Sequence, residues 1–333
     1  MDKMGQLLYH ALHEPVKASD PSTIATEGQM STKDITIAPL QTMEQYQTCE
    51  RLQQIIWRSD PVEVIPAHLL ITAQRHGGLV LGAFDGTGEM IGCLFGFAGR
   101  VAPDNPTTAG GPLWQHCSHF MGVVPEWRGR GVGYRLKCAQ REWALSQGFE
   151  LVTWTYDPLE AANGVLNLGK LGAVCRCYLR NLYGEIADGL NVGLPTDRFE
   201  VAWWVGSARV RERVEHGWQR PRLDDLLQEG TLILNAASPR SGGTEGSGWL
   251  EPGETREPEG ERLLVEIPSR IQALKAADMG LALAWRLSVR AACEAAFAAG
   301  YTACDVVRAE VDGRPRVYYL LERLLGQVLR GGL

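Results

Sequence analysis

The sequence has few features of a membrane or secreted protein. Its residues include no run that approaches the roughly 18 consecutive apolar residues of a membrane helix. The first residues lack the charged, apolar and small-residue order of a signal peptide. We therefore expect a cytoplasmic protein that has no membrane partner.

Positive charge is also scarce and is not clustered. Lys and Arg together number 33, against 39 Asp and Glu, which gives a formal net charge of −6 over 333 residues. Proteins bind nucleic acids through clustered Lys and Arg side chains. The charge balance therefore argues against a nucleic-acid partner, and the 45% hydrophobic content is typical of a chain that buries a sizeable core.

The eight cysteines form no Cys-x-x-Cys pair and lie inside apolar stretches. This pattern indicates buried, reduced thiols. Cys175 and Cys177 would share one face of a strand, but no second Cys or His pair completes the four ligands of a zinc site. We expect no metal.

The most informative stretch of the sequence runs from residue 116 to 156. His119–Val124 has the pattern of a buried strand, and from Val132 the apolar residues recur at helical spacing. Gly148 is typical of the end of that helix, and the β-branched and aromatic residues of Leu151–Tyr156 favour a second strand. The pattern predicts a strand, a glycine-rich loop, a helix and a strand.

The loop that precedes this helix reads Arg128-Gly129-Arg130-Gly131-Val132-Gly133. The first turn of a helix presents unpaired backbone N–H groups and the positive end of the helix dipole, and both favour a phosphate. Glycines let a ligand approach the backbone closely, and Arg128 and Arg130 add positive charge. We expect an anionic ligand here, most simply one that carries a pyrophosphate.

Two other phosphate-binding motifs do not fit the loop. The nucleoside triphosphatase loop requires Gly-Lys followed by Ser or Thr, whereas Tyr134 and Arg135 follow Gly133. The dinucleotide fingerprint G-x-G-x-x-G, counted from Gly129, would need glycine where Tyr134 stands, and residues 125–127 separate it from the strand.

What fits is R-x-x-G-x-G, formed by Arg128, Gly131 and Gly133 after an apolar strand and a Val-Pro-Glu-Trp turn. This arrangement resembles the GNAT (Gcn5-related N-acetyltransferase) superfamily of acyltransferases. The predicted order of strand, two helices, three strands, helix, strand, helix and two strands is similar to that family as well. The resemblance implies an α/β fold with a mixed sheet, and acetyl-CoA or another acyl-CoA as co-substrate.

We expect the chain to have four parts. They are an N-terminal extension over residues 1–34, a GNAT-like domain over 35–206, a connecting segment over 207–262 and a C-terminal α+β module over 263–333. Residues 238–261 are dense in Gly, Pro, Ser, Glu and Thr and should form a mobile linker. The module is predicted to contain one long helix over 269–299, and to shape an acceptor pocket or an interface such as that of a homo-oligomer.

The resemblance implies that acyl-CoA lies between two strands that diverge, with backbone N–H groups of the first strand holding the pantetheine arm. Asn163 matches an asparagine that contacts this arm, although a helix N-cap is an equally good role for it. The implied coenzyme-binding residues are Gly122, Val123, Val124, Arg128, Gly129, Arg130, Gly131, Val132, Gly133 and Asn163.

The acid and base that the family often carries are not at their expected positions. Cys117 stands where a carboxylate base is common, so His119, on the same strand face, is the substitute; its alternative is a structural histidine. Leu168 stands where a tyrosine often protonates the leaving thiolate. Tyr156 is the candidate acid instead, with core packing as the alternative.

The expected activity is acyl-CoA-dependent N-acylation, by acetyl or succinyl transfer, of a small amine such as an amino acid. Arg176 and Arg180 could bind a carboxylate of either substrate. The alternative is a catalytically weak GNAT-like module that senses acyl-CoA.

Overall fold

A computed structural model describes residues 34–58, 60–101, 112–184, 192–239 and 249–323. The described residues from Asp34 onward form one compact unit. The predicted N-terminal extension lies outside the described residues except for Asp34. No helix among the described residues is both long enough and apolar enough to cross a membrane.

The elements of the first part of the chain are as follows. They are β1 (Thr36–Pro39), α1 (Met43–Trp57), α2 (Ala67–Arg75), β2 (Leu79–Phe84), β3 (Met90–Arg100), β4 (Trp114–Val123), α3 (Val132–Ser146), β5 (Leu151–Tyr156), α4 (Ala161–Gly164) with the π-helical turn Val165–Lys170, β6 (Val174–Leu179) and β7 (Arg198–Trp204). Short 3₁₀ turns lie at Pro61–Glu63 and Pro125–Trp127.

The second part continues with shorter elements. They are α5 (Ala208–Glu215), α6 (Leu223–Gln228), β8 (Leu232–Ile233), β9 (Ser238–Pro239), β10 (Leu250–Glu251), β11 (Arg262–Ile267), α7 (Ile271–Ala277), α8 (Met279–Ala298), β12 (Thr302–Val311) and β13 (Arg314–Glu322).

Eleven of the described strands form one sheet in the order β1-β2-β3-β4-β5-β7-β6-β12-β13-β11-β8. Most neighbours are antiparallel, whereas β4 with β5 and β11 with β8 are parallel. The predicted α/β fold with a mixed sheet is therefore confirmed. The C-terminal strands extend the same sheet, because Ala303 of β12 pairs with Cys175 of β6.

The two faces of the sheet are covered by different helices. Along β2, Val80 belongs to the core beneath α1 and α2, and Leu81 belongs to the core beneath α3. We call these sides the α1 face and the α3 face. Helix α8 packs on the α3 face, where Trp285 shares a core cluster with Ala144 of α3 and Trp203 of β7.

The long helix predicted over residues 269–299 is two helices, and that prediction is corrected. The break falls at Asp278, whose backbone is extended (φ −155°) and whose carboxylate accepts a hydrogen bond from the Leu281 N–H at 2.9 Å. An aspartate in this position caps a new helix rather than continuing the old one.

The connecting segment carries more structure than its composition predicted. Helix α5 lies inside it, and the described part of the predicted linker is held by hydrogen bonds. The Arg256 N–H donates to the Leu234 carbonyl at 2.8 Å, and the Trp285 indole donates to the Leu250 carbonyl at 2.9 Å. Residues 240–248 lie outside the described residues, and the domain boundaries themselves stay a prediction.

Candidate functional site

Strands β4 and β5 diverge soon after they meet. They pair only through His116 with Val152 and Cys117 with Thr153, whereas β4 stays paired with β3 as far as Val123. From Ser118 onward, the edge of β4 that faces β5 pairs with no strand among the described residues. The predicted divergence is confirmed, and it leaves a gap between the two strands.

The direction of the backbone groups along this edge follows from the pairing with β3. The Val124 N–H donates to the Ile91 carbonyl of β3 at 3.0 Å. Because successive residues of a strand point their N–H groups to opposite sides, Gly122 also points to β3, and Met121 and Val123 point into the gap. This corrects the prediction for Gly122 and Val124, and adds Met121.

The glycine-rich loop forms an uncapped start to α3. Gly131 is the N-cap residue, has φ +83° and supplies no capping side chain, and Gly129 has φ +76°. Both values lie in the left-handed region that glycine adopts without strain. The Val132 side chain is buried and anchors the start of α3. The first N–H groups of α3 therefore face the loop, whose residues are exposed.

Gly133, the next glycine, allows close packing around the start of α3. A Cβ atom on Gly133 would lie 3.3 Å from Met121 Cε and 3.9 Å from Leu166 Cδ2. The start of α3 therefore lies close to both β4 and the π-helical turn, at the far end of the gap.

Arg128 differs from the prediction, whereas the predicted role of Arg130 stays a prediction. The Arg128 guanidinium donates to the Val123 carbonyl at 3.1 Å and to the Ile56 carbonyl at 3.1 Å. It therefore holds the loop against β4 and α1 rather than projecting toward an anion. Arg130 lies with its guanidinium carbon 5.2 Å from the centre of the Trp127 ring.

His119 occupies a β-bulge in β4. Phe120 pairs with Phe95 and Ser118 with Gly96, so His119 is the extra residue between them. Its ring lies 5.8 Å from Phe95 and 6.1 Å from Phe97, centroid to centroid. One side of the His119 ring is exposed to solvent, and partial burial of the other side lowers its pKa below the ordinary value. The imidazole is therefore neutral near pH 7 and can accept a proton.

A cavity of about 140 Å³ opens beside His119 on the α1 face. It is bounded by the C-terminal part of α1, the turn that follows it, and β4. The described lining residues are Gln53, Trp57, Glu63, Val64, Ile65, His119 and Phe120. This set combines aromatic surface, one carboxylate and one neutral imidazole.

Cys117 lies at the last position where β4 pairs with β5. Burial raises the pKa of its thiol, with a hydrogen bond to Thr153 as a smaller, opposing influence. A protonated thiol does not replace a carboxylate base, which leaves His119 as the base candidate at this strand.

The structure corrects the role predicted for Tyr156. Its side chain is buried in the core of the α3 face, and its hydroxyl donates to the Tyr319 hydroxyl at 3.3 Å. Tyr319 in turn donates to the Pro158 carbonyl at 2.7 Å. Both phenols are therefore engaged in the core, and Leu168 is fully buried as well.

The structure also places three further candidates. Asn163 lies exposed in the first turn of α4, whose N-cap residue is Glu160, so the capping alternative for Asn163 is wrong. Arg180 makes a bidentate ion pair with Glu294 of α8, and this pair engages the Arg180 guanidinium. Arg176 is the bulged residue of β6.

A buried polar cluster that the sequence analysis missed lies at the start of the gap. Lys137 of α3 is 2% exposed, and its amine donates to Ser118 Oγ at 2.9 Å and to Gln140 Oε1 at 3.1 Å. Its amine nitrogen lies 3.6 Å from the centre of the Trp154 ring. Residues 137, 140, 141 and 144 lie on one face of α3. This helical spacing is the signal in the sequence that could have revealed the cluster.

Within the described ranges, no group of three or more His, Cys, Asp or Glu side chains converges as metal ligands would. The site is instead assembled from backbone groups, a loop and a few side chains. An anion can bind at the α3 N-terminus, an extended arm can follow the gap edge of β4, and a second molecule can enter beside His119.

No protein-family profile and no curated protein sequence matches the chain. Among solved structures, the ribosomal-protein-S18-alanine N-acetyltransferase of Escherichia coli is 16% identical, with a TM-score of 0.38, over 52% of this chain and 96% of that one. A GNAT family acetyltransferase of Streptococcus pneumoniae is 14% identical, with a TM-score of 0.39, over 51% and 98%. Another, from Elizabethkingia anophelis with acetyl-CoA bound, is 16% identical, with a TM-score of 0.36, over 52% and 99%.

Proposed function

We propose that the protein is an acyl-CoA-dependent N-acyltransferase that transfers an acetyl or succinyl group to a small amine. One observation carries this proposal. The unpaired edge of β4 starts at Ser118 and leads to the uncapped start of α3 at Gly131. A coenzyme with a diphosphate at one end and a thioester at the other would need these two features in this order.

The backbone supplies the groups that bind and polarise the acyl donor. The N–H groups at the start of α3 suit the diphosphate, since they are unpaired within the helix and lie at its positive end. The N–H groups of Met121 and Val123 suit the pantetheine arm and the thioester oxygen. Donors fixed in advance around a developing oxyanion stabilise the tetrahedral state without reorganisation.

His119 is the base in this proposal. The amine must be neutral to attack the thioester carbon, and it loses a proton as the C–N bond forms. A neutral imidazole at the wall of the cavity can accept that proton. The bulge at His119 directly follows Ser118, where the gap begins, so the cavity and the gap meet at one point of β4.

The cavity lining favours the amine end of the acceptor. Glu63 provides a carboxylate, and Trp57 and Phe120 provide aromatic surface, both of which attract a cationic amine before it is deprotonated. The described lining includes no Arg or Lys that would bind a carboxylate. We therefore propose that small amines without a carboxylate are better acceptors than the corresponding amino acids.

A thiol-release assay with acetyl-CoA and succinyl-CoA tests the proposal. Matched pairs of acceptors, such as phenethylamine and phenylalanine, separate the amine from the carboxylate. We expect turnover with at least one amine, and faster turnover without the carboxylate. Absence of CoA binding would overturn the proposal altogether.

The sensor alternative has one observation in its favour. Leu168 and Tyr156 are both buried in the core, so neither position offers a phenol to the gap. Tight CoA binding without turnover on any amine would favour this alternative.

A further inference from the structure

Lys137 bridges the two diverging strands at the first position where they are no longer paired. The last pair is Cys117 with Thr153, and the next residues along the two strands are Ser118 and Trp154. Lys137 hydrogen-bonds Ser118 and lies over the ring of Trp154. An amine carried by α3 therefore lies at the vertex of the gap, on the α3 face.

Among the described residues, no carboxylate pairs with this amine. Its hydrogen-bond partners are Ser118 of β4 and Gln140 of α3, and its charged form is one cause of the lowered pKa of His116 of β4. No ion pair of Lys137 occurs within the described part of the chain. Burial alone lowers the pKa of Lys137 well below its ordinary value.

Such a cluster is costly for the fold. Burying an amine without a carboxylate opposes folding, and both ring nitrogens of His116 and the amide nitrogen of Gln140 also lack partners among the described residues. An apolar residue at position 137 would avoid this cost, which points to a role for the amine outside the fold itself.

We propose that Lys137 and Ser118 form a proton-donating pair for the thiolate that leaves when the thioester is cleaved. This inference rests on the proposed function. It supplies the acid that neither Tyr156 nor Leu168 can provide, and it places that acid at the vertex of the gap.

The proton balance of the step is simple. The amine nitrogen forms a bond to the thioester carbon, and the C–S bond breaks with its electron pair on sulfur. Ser118 turns its O–H from Gln140 Oε1, 3.2 Å away in this structure, to the sulfur and donates its proton there. Lys137 donates a proton to Ser118 in turn, is left neutral, and regains a proton from water after the products leave.

The ionisation of bound CoA tests the proposal without any turnover. The ultraviolet absorbance of the thiolate, followed against pH, gives the pKa of the CoA thiol in the complex. We expect this pKa to lie below that of free CoA in the wild-type protein. In Lys137→Met, which keeps the length of the side chain, it should rise by about 1 unit or more, because the ammonium that pairs with the thiolate is gone.

Two further variants complete the test. Ser118→Ala should raise the thiol pKa as well, and it keeps the proposal testable if Lys137→Met does not fold. Lys170→Met removes an exposed positive charge elsewhere and should leave the thiol pKa unchanged. Circular dichroism confirms that each variant is folded.

The outcomes separate this proposal from the proposed function. If CoA binds to the wild-type protein and the thiol pKa is the same in wild type, Lys137→Met and Ser118→Ala, the proton-donating role is overturned and the acyl-CoA site stands. If CoA does not bind to the wild-type protein, the acyl-CoA site is overturned first.

Discussion

Arg128 and Ile56, 72 residues apart in the sequence, are joined by a hydrogen bond of 3.1 Å from the guanidinium to the backbone carbonyl. The same guanidinium bonds the Val123 carbonyl at the end of β4. The C-terminal end of α1, the end of β4 and the glycine-rich loop are therefore fixed to one another by one side chain. The position of the loop against β4 and α1 depends on this bridge, although the loop itself is encoded by local sequence.

Arg128→Lys should therefore act on stability. A lysine cannot reach two carbonyls with the planar fork of a guanidinium. We expect the free energy of unfolding to fall by about 1 kcal/mol, as measured by chemical denaturation. Arg130→Lys is the matched control and should change stability less, since the Arg130 guanidinium lies over Trp127, a near neighbour in the chain, and a lysine can keep that contact. Equal effects of the two variants would contradict the bridging role.

His119 should set the acid limb of activity. Since partial burial lowers the pKa of His119, the imidazole becomes protonated only at pH values below its ordinary pKa of 6.5. We therefore expect kcat/KM to fall only below pH 6.5. His119→Gln should abolish this limb and reduce kcat by about 10²-fold. A pH–rate profile of the two proteins measures both effects. His116→Gln should keep the acid limb of the pH–rate profile. If His116→Gln lost this limb and His119→Gln kept it, the assignment of His119 as the base would be contradicted.

His116 should make the fold sensitive to mild acid. Burial, with a contribution from Lys137, lowers the pKa of His116 from 6.5 to about 3. Between these values the unfolded chain binds a proton that the folded chain does not, so stability falls as pH falls. This one group should account for a loss of about 2 kcal/mol between pH 6.5 and pH 5.

The test compares stability at the two pH values. His116→Phe keeps an aromatic ring beside Trp143, which lies 4.8 Å from the imidazole, and should remove most of this pH dependence. The matched control is His76→Phe, at an exposed position, which should keep it. Identical pH dependence in wild type and His116→Phe would show that His116 does not titrate as described.

The ion pair between Arg286 and Asp157 should be a main attachment of α8 to the sheet. Arg286 is 1% exposed and donates to both carboxylate oxygens of Asp157, at 2.8 and 2.6 Å, just after β5. Arg286→Met should lower the free energy of unfolding by about 3 kcal/mol, because Asp157 is left without its main partner.

The double variant Arg286→Met/Asp157→Asn should recover part of this loss, since the unpaired charge is removed as well. Arg180→Met, which breaks the exposed pair with Glu294, is the control and should change stability little. No difference between Arg286→Met and Arg180→Met would contradict the attachment.

Local patterns in the sequence predicted much of the fold. The strand predicted over Leu151–Tyr156 coincides with β5, and the helix predicted from Val132 is α3, which begins at that residue. Apolar periodicity and flanking breakers define such elements without help from distant residues. The glycine-rich loop was predicted for the same reason. Its positive φ values and the helix that follows depend on neighbours in the chain.

The contacts that assign roles to side chains could not be predicted in this way. Tyr156 meets Tyr319, 163 residues away, and that partner decides that the phenol belongs to the core. The bulge at His119 depends on the pairing with β3, which no pattern within β4 reveals. Lys137 was missed because a lysine is ordinarily taken to mark the exposed face of a helix.

The most direct test of the account compares two glycines at opposite ends of α3. Gly131 has φ +83° and Gly148 has φ +77°, and at both a Cβ atom would meet nothing within 4 Å. Valine at either position should strain the backbone to a similar degree. CoA affinity is then measured by calorimetry for Gly131→Val and Gly148→Val.

The account predicts that CoA affinity falls by about tenfold or more in Gly131→Val, which corresponds to about 1.4 kcal/mol, and stays unchanged in Gly148→Val. Wild-type CoA affinity in Gly131→Val would contradict the claim that the start of α3 binds the coenzyme.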